Sequence, residues 1–301
     1  MNFMGFIRPD GSVGTRNHLL VISTDLATDM ICFRVASAVL QAVPVISGFF
    51  TSQHEEHYTT LVKNPNVAGA IVLETFAQGV GEKIAGEMSL IGKPVEIVEL
   101  RAAGGPVQAA ARATSAAVFL AREISTYKRQ LSIFTRLVLG IIYKDESKTE
   151  DVLLPCLLDL VENNYGRIII ANETSSKKDK IKNLPAIKTL GLGDSVGQNR
   201  GVYELGFSAN TGEILQHMVL RGVQLVLAAT GIPCPASNSL VPIINLTADQ
   251  NHLDSYKEFI ELDLSGLDYE QYPVDEYSLL IINEIIATAS GKLTKAEAFK
   301  I

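Results

Sequence analysis

Short runs of aliphatic and β-branched residues alternate with longer stretches whose apolar positions recur every three or four residues, almost from end to end of the 301-residue chain. Unbroken apolar runs of that length suit strands buried on both faces, and the 3.6-residue periodicity between them suits amphipathic helices. The spacing predicts strands over 19–23, 45–49, 67–73 and 95–100, with helices over 28–43, 53–62 and 79–90 between them. An Ala- and Val-rich helix over 106–128 closes this half, and the polar Tyr127-Lys-Arg-Gln130 marks a boundary. The rhythm then restarts, with strands over 135–143, 167–171, 201–207, 224–229 and 241–246 and helices over 149–163, 212–221, 251–259 and 275–290. Residues 172–200 carry no clear period. Strand–helix alternation of this kind predicts an α/β protein of two lobes, 1–130 and 131–301, each with mostly parallel sheets flanked by helices in Rossmann-like layering.

Composition narrows the function classes. With 47% hydrophobic and 20% charged residues the chain reads as globular. A formal charge of −7 argues against a nucleic-acid binder, which needs a basic face, and the lysine run 177–182 reads as a solvated loop. No segment has the roughly 20 consecutive apolar residues that a bilayer crossing needs, so no membrane partner is expected. Three widely spaced cysteines, Cys32, Cys156 and Cys234, suit a reducing compartment better than a disulfide framework. With no signal-peptide pattern at the start, a cytoplasmic location is the expectation.

Chemistry-bearing residues gather in a few places. The opening Gly5-Phe-Ile-Arg8-Pro-Asp10-Gly11-Ser-Val-Gly14-Thr-Arg16-Asn17 sets two guanidiniums and an amide around three glycines. Arginine can grip a carboxylate through a planar fork, so Arg8 and Arg16, with Asn17, are candidate binders of a small acid. A surface hairpin with solvated charges is the competing reading. His54 and His57 stand three apart at a predicted helix start, where they could share a metal, carry a proton, or simply be solvated. Thr230 and Gly231 end a buried strand, a place where a hydroxyl and bare backbone can meet a carboxylate, although a plain strand-ending glycine explains them too. Two glycine patterns, 191–197 and 86–93, have the wrong spacing for a dinucleotide or phosphate loop, so no nucleotide is expected.

The opening motif resembles the altronate/galactarate dehydratase family, central and C-terminal parts. Further segments carry the same resemblance: Asn64-Pro65-Asn66-Val67-Ala-Gly69, Gly104-Gly105 before a long helix, Arg221-Gly222 through Thr230-Gly231, Pro242-Ile-Ile-Asn-Leu-Thr247, and Ser290-Gly291-Lys-Leu-Thr294-Lys295-Ala-Glu297. The resemblance implies a carbon–oxygen lyase that removes water from a sugar acid or related hydroxy acid. Arg8, Arg16, Asn17, Thr230 and Gly231 would bind the substrate, and His54, His57 and Glu74 would serve catalysis, with Glu74 or Asp145 assisting a cation. Such chemistry needs a base for the α-proton, a cation for the enolate and an acid for the departing β-hydroxyl. A divalent metal, Fe, Mn or Mg, is the cofactor implied, with its ligands left open.

The chain departs from the family pattern in its loops. Where the family reads Gly-Leu-Gly-Cys-Glu after a strand, this chain reads Leu73-Glu74-Thr75-Phe76-Ala77, without the cysteine. Tyr143-Lys144-Asp145-Glu146-Ser147 replaces a loop rich in Cys, Gly, Ser and Asp. A sugar-acid-binding or regulatory relative without catalysis is therefore the alternative expectation. The chain begins where the family's central domain would begin, so a separate small subunit resembling the missing N-terminal domain is an expected partner, and assembly as a homo-oligomer is left open.

Overall fold

The computed structural model describes residues 1–48, 55–77, 79–143, 152–153, 155–156, 159–160, 166–172, 188–191, 196, 199–206, 210–229, 240–267 and 274–299. The chain divides into two compact units, one of residues 6–130 and one of residues 1–5 together with 131–301. Both are built on parallel sheets, so the α/β expectation holds.

The first unit is built on a four-stranded sheet. Strands β3 (His18–Ser23), β4 (Ala42–Val45), β5 (Val67–Glu74) and β6 (Val95–Glu99) lie in the order β4-β3-β5-β6, all parallel. Every residue of β5 is buried, as a central strand covered by helices on both faces must be, which is why Val67–Glu74 reads as an unbroken apolar run. Helices α1 (Asp29–Ala38) and α5 (Pro106–Ile124) cover one face, where Ile31, Cys32 and Val35 meet Ala109, Ala113, Ala117 and Leu120. Those alanines, spaced four apart, let α5 lie close to both α1 and the sheet. Helices α2 (Glu55–Leu61) and α3 (Val80–Leu90) pack together, and the short α4 (Leu100–Ala103) leads into α5 through Gly104 and Gly105, both at positive φ.

One strand differs from expectation. The helix expected over 28–43 stops at Ala38, Gln41 turns the chain at φ 67°, and β4 occupies 42–45 rather than 45–49. Pro44 has no N–H to donate, but β4 is an edge strand, and there a proline is tolerated. The sequence also hides the strands β1 (Asn2–Ile7), β2 (Val13–Gly14) and β7 (Arg129–Ile133), which form a small sheet in the order β2-β1-β7. β2 and β7 are short and carry no apolar run, and β1 is half-exposed, burying Phe3 and Gly5 while Asn2 and Met4 face outward.

In the second unit, seven strands lie in the order β10-β11-β9-β8-β12-β13-β14, every pairing parallel. They are β8 (Val138–Tyr143), β9 (Arg167–Asn172), β10 (Lys188–Leu190), β11 (Gly201–Leu205), β12 (Leu225–Ala229), β13 (Ile243–Thr247) and β14 (Leu262–Asp263). Strand β10 falls in the stretch without period, since its pattern at the sheet edge is mostly exposed. Helix α6 (Thr211–Leu220) approaches β8 closely because Gly140 is bare; a Cβ there would lie 2.8 Å from the Met218 sulfur. Helices α7 (Gln250–Tyr256), α8 (Val274–Ala289) and α9 (Lys295–Phe299) complete the described chain.

Candidate functional site

Open parallel sheets bind ligands outside the carboxyl ends of their strands, at the point where strand order reverses. In the four-stranded sheet the chain starts at β3, steps outward to β4 and returns across to β5, so the reversal lies between β3 and β5. In the seven-stranded sheet it lies between β8 and β12, whose carboxyl ends are Tyr143 and Ala229, paired in register.

The opening motif is at the other edge. Arg16 and Asn17 lead into the amino end of β3, as Asn66 leads into that of β5 and Lys93 into that of β6. Arg8 is 2% exposed, and its guanidinium donates from Nε to the Pro65 carbonyl, from Nη1 to Asn17 Oδ1 and from Nη2 to the Arg16 carbonyl, each at 2.7 Å. Asn17 returns its Nδ2 to the Ile124 carbonyl at 2.8 Å. Asn66 Oδ1 accepts from the backbone N–H of Thr15 and Arg16, and Arg16 Nη1 donates to the Thr15 carbonyl. Phe6 and Tyr127 flank the Arg8 guanidinium, and Arg129 lies 4.5 Å from the Phe6 ring centre. Arg8, Arg16 and Asn17 are thus brought together, as the spacing suggested, but around backbone carbonyls. The expectation that they hold a substrate carboxylate is not tested by this arrangement, in which the Arg8 fork is engaged within the fold at the edge opposite the reversal point.

Lys93 completes this knot. It is buried, and Nζ donates to the carbonyls of Val62 and Asn64 at 2.9 and 2.7 Å, tying the end of α2 to the start of β5. Burial, reinforced by the nearby Arg8 charge, pushes its amine down to about 7. Burial likewise brings Arg8 down to about 10.

The carboxyl edge of the same sheet holds carboxylates instead. Glu74, the last residue of β5, is 3% exposed, and its Oε2 accepts from the Gly81 N–H in the first turn of α3 at 3.3 Å. Negative charge is favoured there by the unpaired N–H groups of the helix start. Gly81 leaves the room, since a Cβ at that position would lie 3.1 Å from Oε2. Asp25, beyond β3, accepts from the Thr75 N–H and hydroxyl at 2.9 and 2.8 Å and from the Ala27 N–H at 3.0 Å. The Ser23 hydroxyl sits 2.6 Å from that of Thr28 and donates to the Asp25 carbonyl. Asp29 accepts from both the N–H and the hydroxyl of Ser47, each at 2.9 Å, linking the start of α1 to the end of β4. Among these residues only Glu74 was marked by sequence reasoning as a site residue. Asp25 lies in a loop selected by the carboxyl-end rule, whereas the Asp29–Ser47 link has no local signature.

His57 is in the first turn of α2, half-buried, on the helix that pairs with α3 through the Lys83–Glu55 ion pair, with Lys63–Glu87 just beyond its end. His54, Asp145, Thr230, Gly231 and Cys234 lie outside the described residues. Cys32 donates to the Val21 carbonyl, and burial pushes its thiol up to about 12, as it does for Cys156. Both behave as core residues rather than nucleophiles.

Family models match most of the chain: "D-galactarate dehydratase/Altronate hydrolase, second domain" over residues 5–125, and "D-galactarate/Altronate dehydratase, C-terminal" over residues 171–301. The chain belongs to the galactarate/altronate dehydratase family. Among curated relatives, the beta subunit of (2R)-sulfolactate sulfo-lyase from Chromohalobacter salexigens is 22% identical over 98% of this chain and 94% of its own length. Among solved structures, the glycosyltransferase SnogD from Streptomyces nogalater is 12% identical and covers 94% of this chain and 97% of its own, with a TM-score of 0.24, too low to carry an argument.

Two of the segments that carry the dehydratase resemblance are structural. The Asn64-Pro65-Asn66 segment supplies the acceptors of the Arg8 knot. The closing Thr294-Lys-Ala-Glu297 is a capping box: Glu297 Oε2 accepts from the Thr294 N–H at 2.9 Å while Thr294 Oγ1 accepts from the Glu297 N–H at 3.4 Å. Glu261, whose carboxyl is raised by burial, ties the same helix start to β13 by accepting from the N–H groups of Lys295 and Asn245.

The dehydratase family membership raises the question of a divalent cation. Among the described residues no three His, Cys, Asp or Glu side chains stand close enough to hold one. The carboxylates of Asp25, Asp29 and Glu74 already accept from N–H and O–H groups. The described residues therefore offer no ready-made cation site. No helix of the described residues is long and apolar enough to cross a membrane.

Proposed function

We propose that this dehydratase-family chain is a lyase, or a lyase subunit, acting on a hydroxy acid that carries a leaving group on its β-carbon. The α-proton is removed and the β-substituent departs, leaving an unsaturated or keto acid. The observation that carries the reading is the strand order reversal in each parallel sheet: Glu74 ends β5 beside one, and Tyr143 and Ala229, the strand ends beside the other, are followed along the sequence by Asp145 and Thr230. In this reading Thr230 and Gly231 bind the substrate, His57 or His54 carries the proton, and Glu74 assists at the end of β5. Arg8, Arg16 and Asn17 are left out of the site. The name of the sulfo-lyase relative makes a β-sulfonated hydroxy acid a substrate to set beside aldonic and aldaric acids, and "subunit beta" in that name supports a separate companion subunit. A cytoplasmic location remains part of the proposal.

A melting-temperature screen against these three acid classes, followed by product detection on any ligand found, tests this. A ligand that binds only the folded protein raises its melting temperature. His57→Ala and Glu74→Gln are expected to cut turnover by about a hundredfold or more. Absence of any ligand-induced shift across all three classes, with and without Fe²⁺, Mn²⁺ and Mg²⁺, would sink the proposal.

A second reading, a relative that binds the acid without turning it over, is favoured by one observation. The described carboxylates at the carboxyl edge of the first sheet are engaged in internal hydrogen bonds. Binding without any detectable product decides for it.

A further inference from the structure

Glu74 is gripped through its neighbours on either side. On the side of β3 the backbone pairing of β5 ends at Ser23 and Leu73, one residue short of Glu74. From there the loop after β3 takes over. The Leu73 carbonyl accepts from the Thr24 N–H at 3.0 Å and from the Thr24 hydroxyl at 3.2 Å. On the far side of Glu74, Thr75 donates its N–H to one carboxylate oxygen of Asp25 at 2.9 Å and its hydroxyl to the other at 2.8 Å. The Thr75 carbonyl accepts in turn from the Arg101 N–H of α4 at 3.1 Å. Asp25 is itself held, since its carbonyl accepts from the Thr28 N–H and the Ser23 hydroxyl.

A carboxylate can engage both Thr75 donors at once, each through its own oxygen, and charge-assisted bonds of this kind are the strong ones. The contact they protect is finely set. Glu74 Oε2 meets the Gly81 N–H at 3.3 Å, the long end of the range for such a bond, so a small shift of the strand end loses it. The structure assigns Asp25 the role of a positioning residue, which fixes the peptide after Glu74 and thereby aims the Glu74 carboxyl without meeting substrate. The assignment rests on the lyase reading, in which Glu74 assists at the end of β5. Reacting groups depend on such support, because a misplacement of about 1 Å costs roughly a hundredfold in rate.

Turnover of (2R)-sulfolactate, galactarate and altronate by Asp25→Asn, Glu74→Gln and the double variant tests the role. Asp25→Asn is expected to lower kcat about ten- to a hundredfold and to move KM by no more than about twofold. In the Glu74→Gln background the same change is expected to cost no more than about twofold, because residues acting as one unit are not additive. Thr75→Val, which gives up the hydroxyl bond alone, is expected to lose less, and Thr75→Ser to restore kcat; this pair reads the same link should Asp25→Asn misfold. A readout free of substrate is the ¹³C-carboxyl resonance of Glu74, identified by its loss in Glu74→Gln and expected to shift or split in Asp25→Asn and in Thr75→Val. Equal losses in both backgrounds, a rise in KM in place of a fall in kcat, or a Glu74 resonance indifferent to these changes would each overturn the inference. Should none of the three acids be turned over, the lyase reading fails, and the resonance alone decides whether Asp25 aims Glu74.

Discussion

The two edges of the four-stranded sheet use opposite charges for different ends. At the amino edge, Arg8, Arg16 and Lys93 are buried on backbone carbonyls, so the cations donate to acceptors in the loops before β3 and β5. At the carboxyl edge, Asp25, Asp29 and Glu74 accept from backbone N–H groups of the loops and helix starts that follow the strands. Both clusters hold strands together. Only the second stands where strand order reverses, so a dense group of charged and amide side chains is not by itself a mark of function. Its position relative to strand direction decides.

The sharpest way to break this comparison is Arg8→Met. It strips donors from Pro65, Arg16 and Asn17 at once, and removal of one partner from such a buried charged network costs about 3–5 kcal/mol. A fall in melting temperature of roughly 10 °C or more is expected in calorimetry. Should Arg8 be a ligand gripper instead, stability would be kept and only acid binding lost.

Gly14→Ala strikes the same knot from the backbone side. Its Cβ would lie 2.2 Å from the Pro65 carbonyl oxygen, and overpacking against rigid backbone costs about 3 kcal/mol. Glycine at residue 14 is required by this close approach rather than by a positive φ. Chemical denaturation checks it, and a loss below about 1 kcal/mol would mean that the loop gives way easily.

At the carboxyl edge, Asp25→Asn puts an amide N–H where the Thr75 N–H and hydroxyl need an acceptor. A cost of about 1–2 kcal/mol is expected, with faster hydrogen exchange confined to the segments after β3 and β5. Equal acceleration at the amino edge would show that the two edges are coupled rather than separate.

The smallest effect is a pH slope. The Lys93 amine titrates at about 7 in the folded protein against its ordinary 10.5. Between these values the unfolded chain holds a proton that the folded chain has released, so this residue makes stability rise with pH from about 7 to 10.5. Below about 7 its burial penalty is present in full. Lys93→Met is expected to flatten that part of a stability–pH curve, and an unchanged slope would assign it to other groups.

Strand and helix positions were largely legible because continuous apolar runs and 3.6-residue periods report burial directly, as at β5, β8 and α5. β4 was placed three residues late, since edge position, which tolerates Pro44 inside the strand, is a property of the assembled sheet. The surroundings of the opening motif were hidden for a related reason. Its residue types and spacing are visible, but the acceptors that occupy Arg8 and Asn17 belong to Pro65 and Ile124, 57 and 107 residues away along the chain. Local spacing brings donors together without saying what they meet. The Asn64-Pro65-Asn66 segment was the missing half of the pattern, noticed separately and joined only by the fold.

Glu74 has a further consequence. Seated against the bare backbone of Gly81, it already fills the electropositive slot at the head of α3. Any external carboxylate, phosphate or sulfonate seeking that slot must evict a tethered rival whose effective concentration never falls. Ligand entry there is a contest between two anions, and its outcome is set by whatever draws the glutamate away.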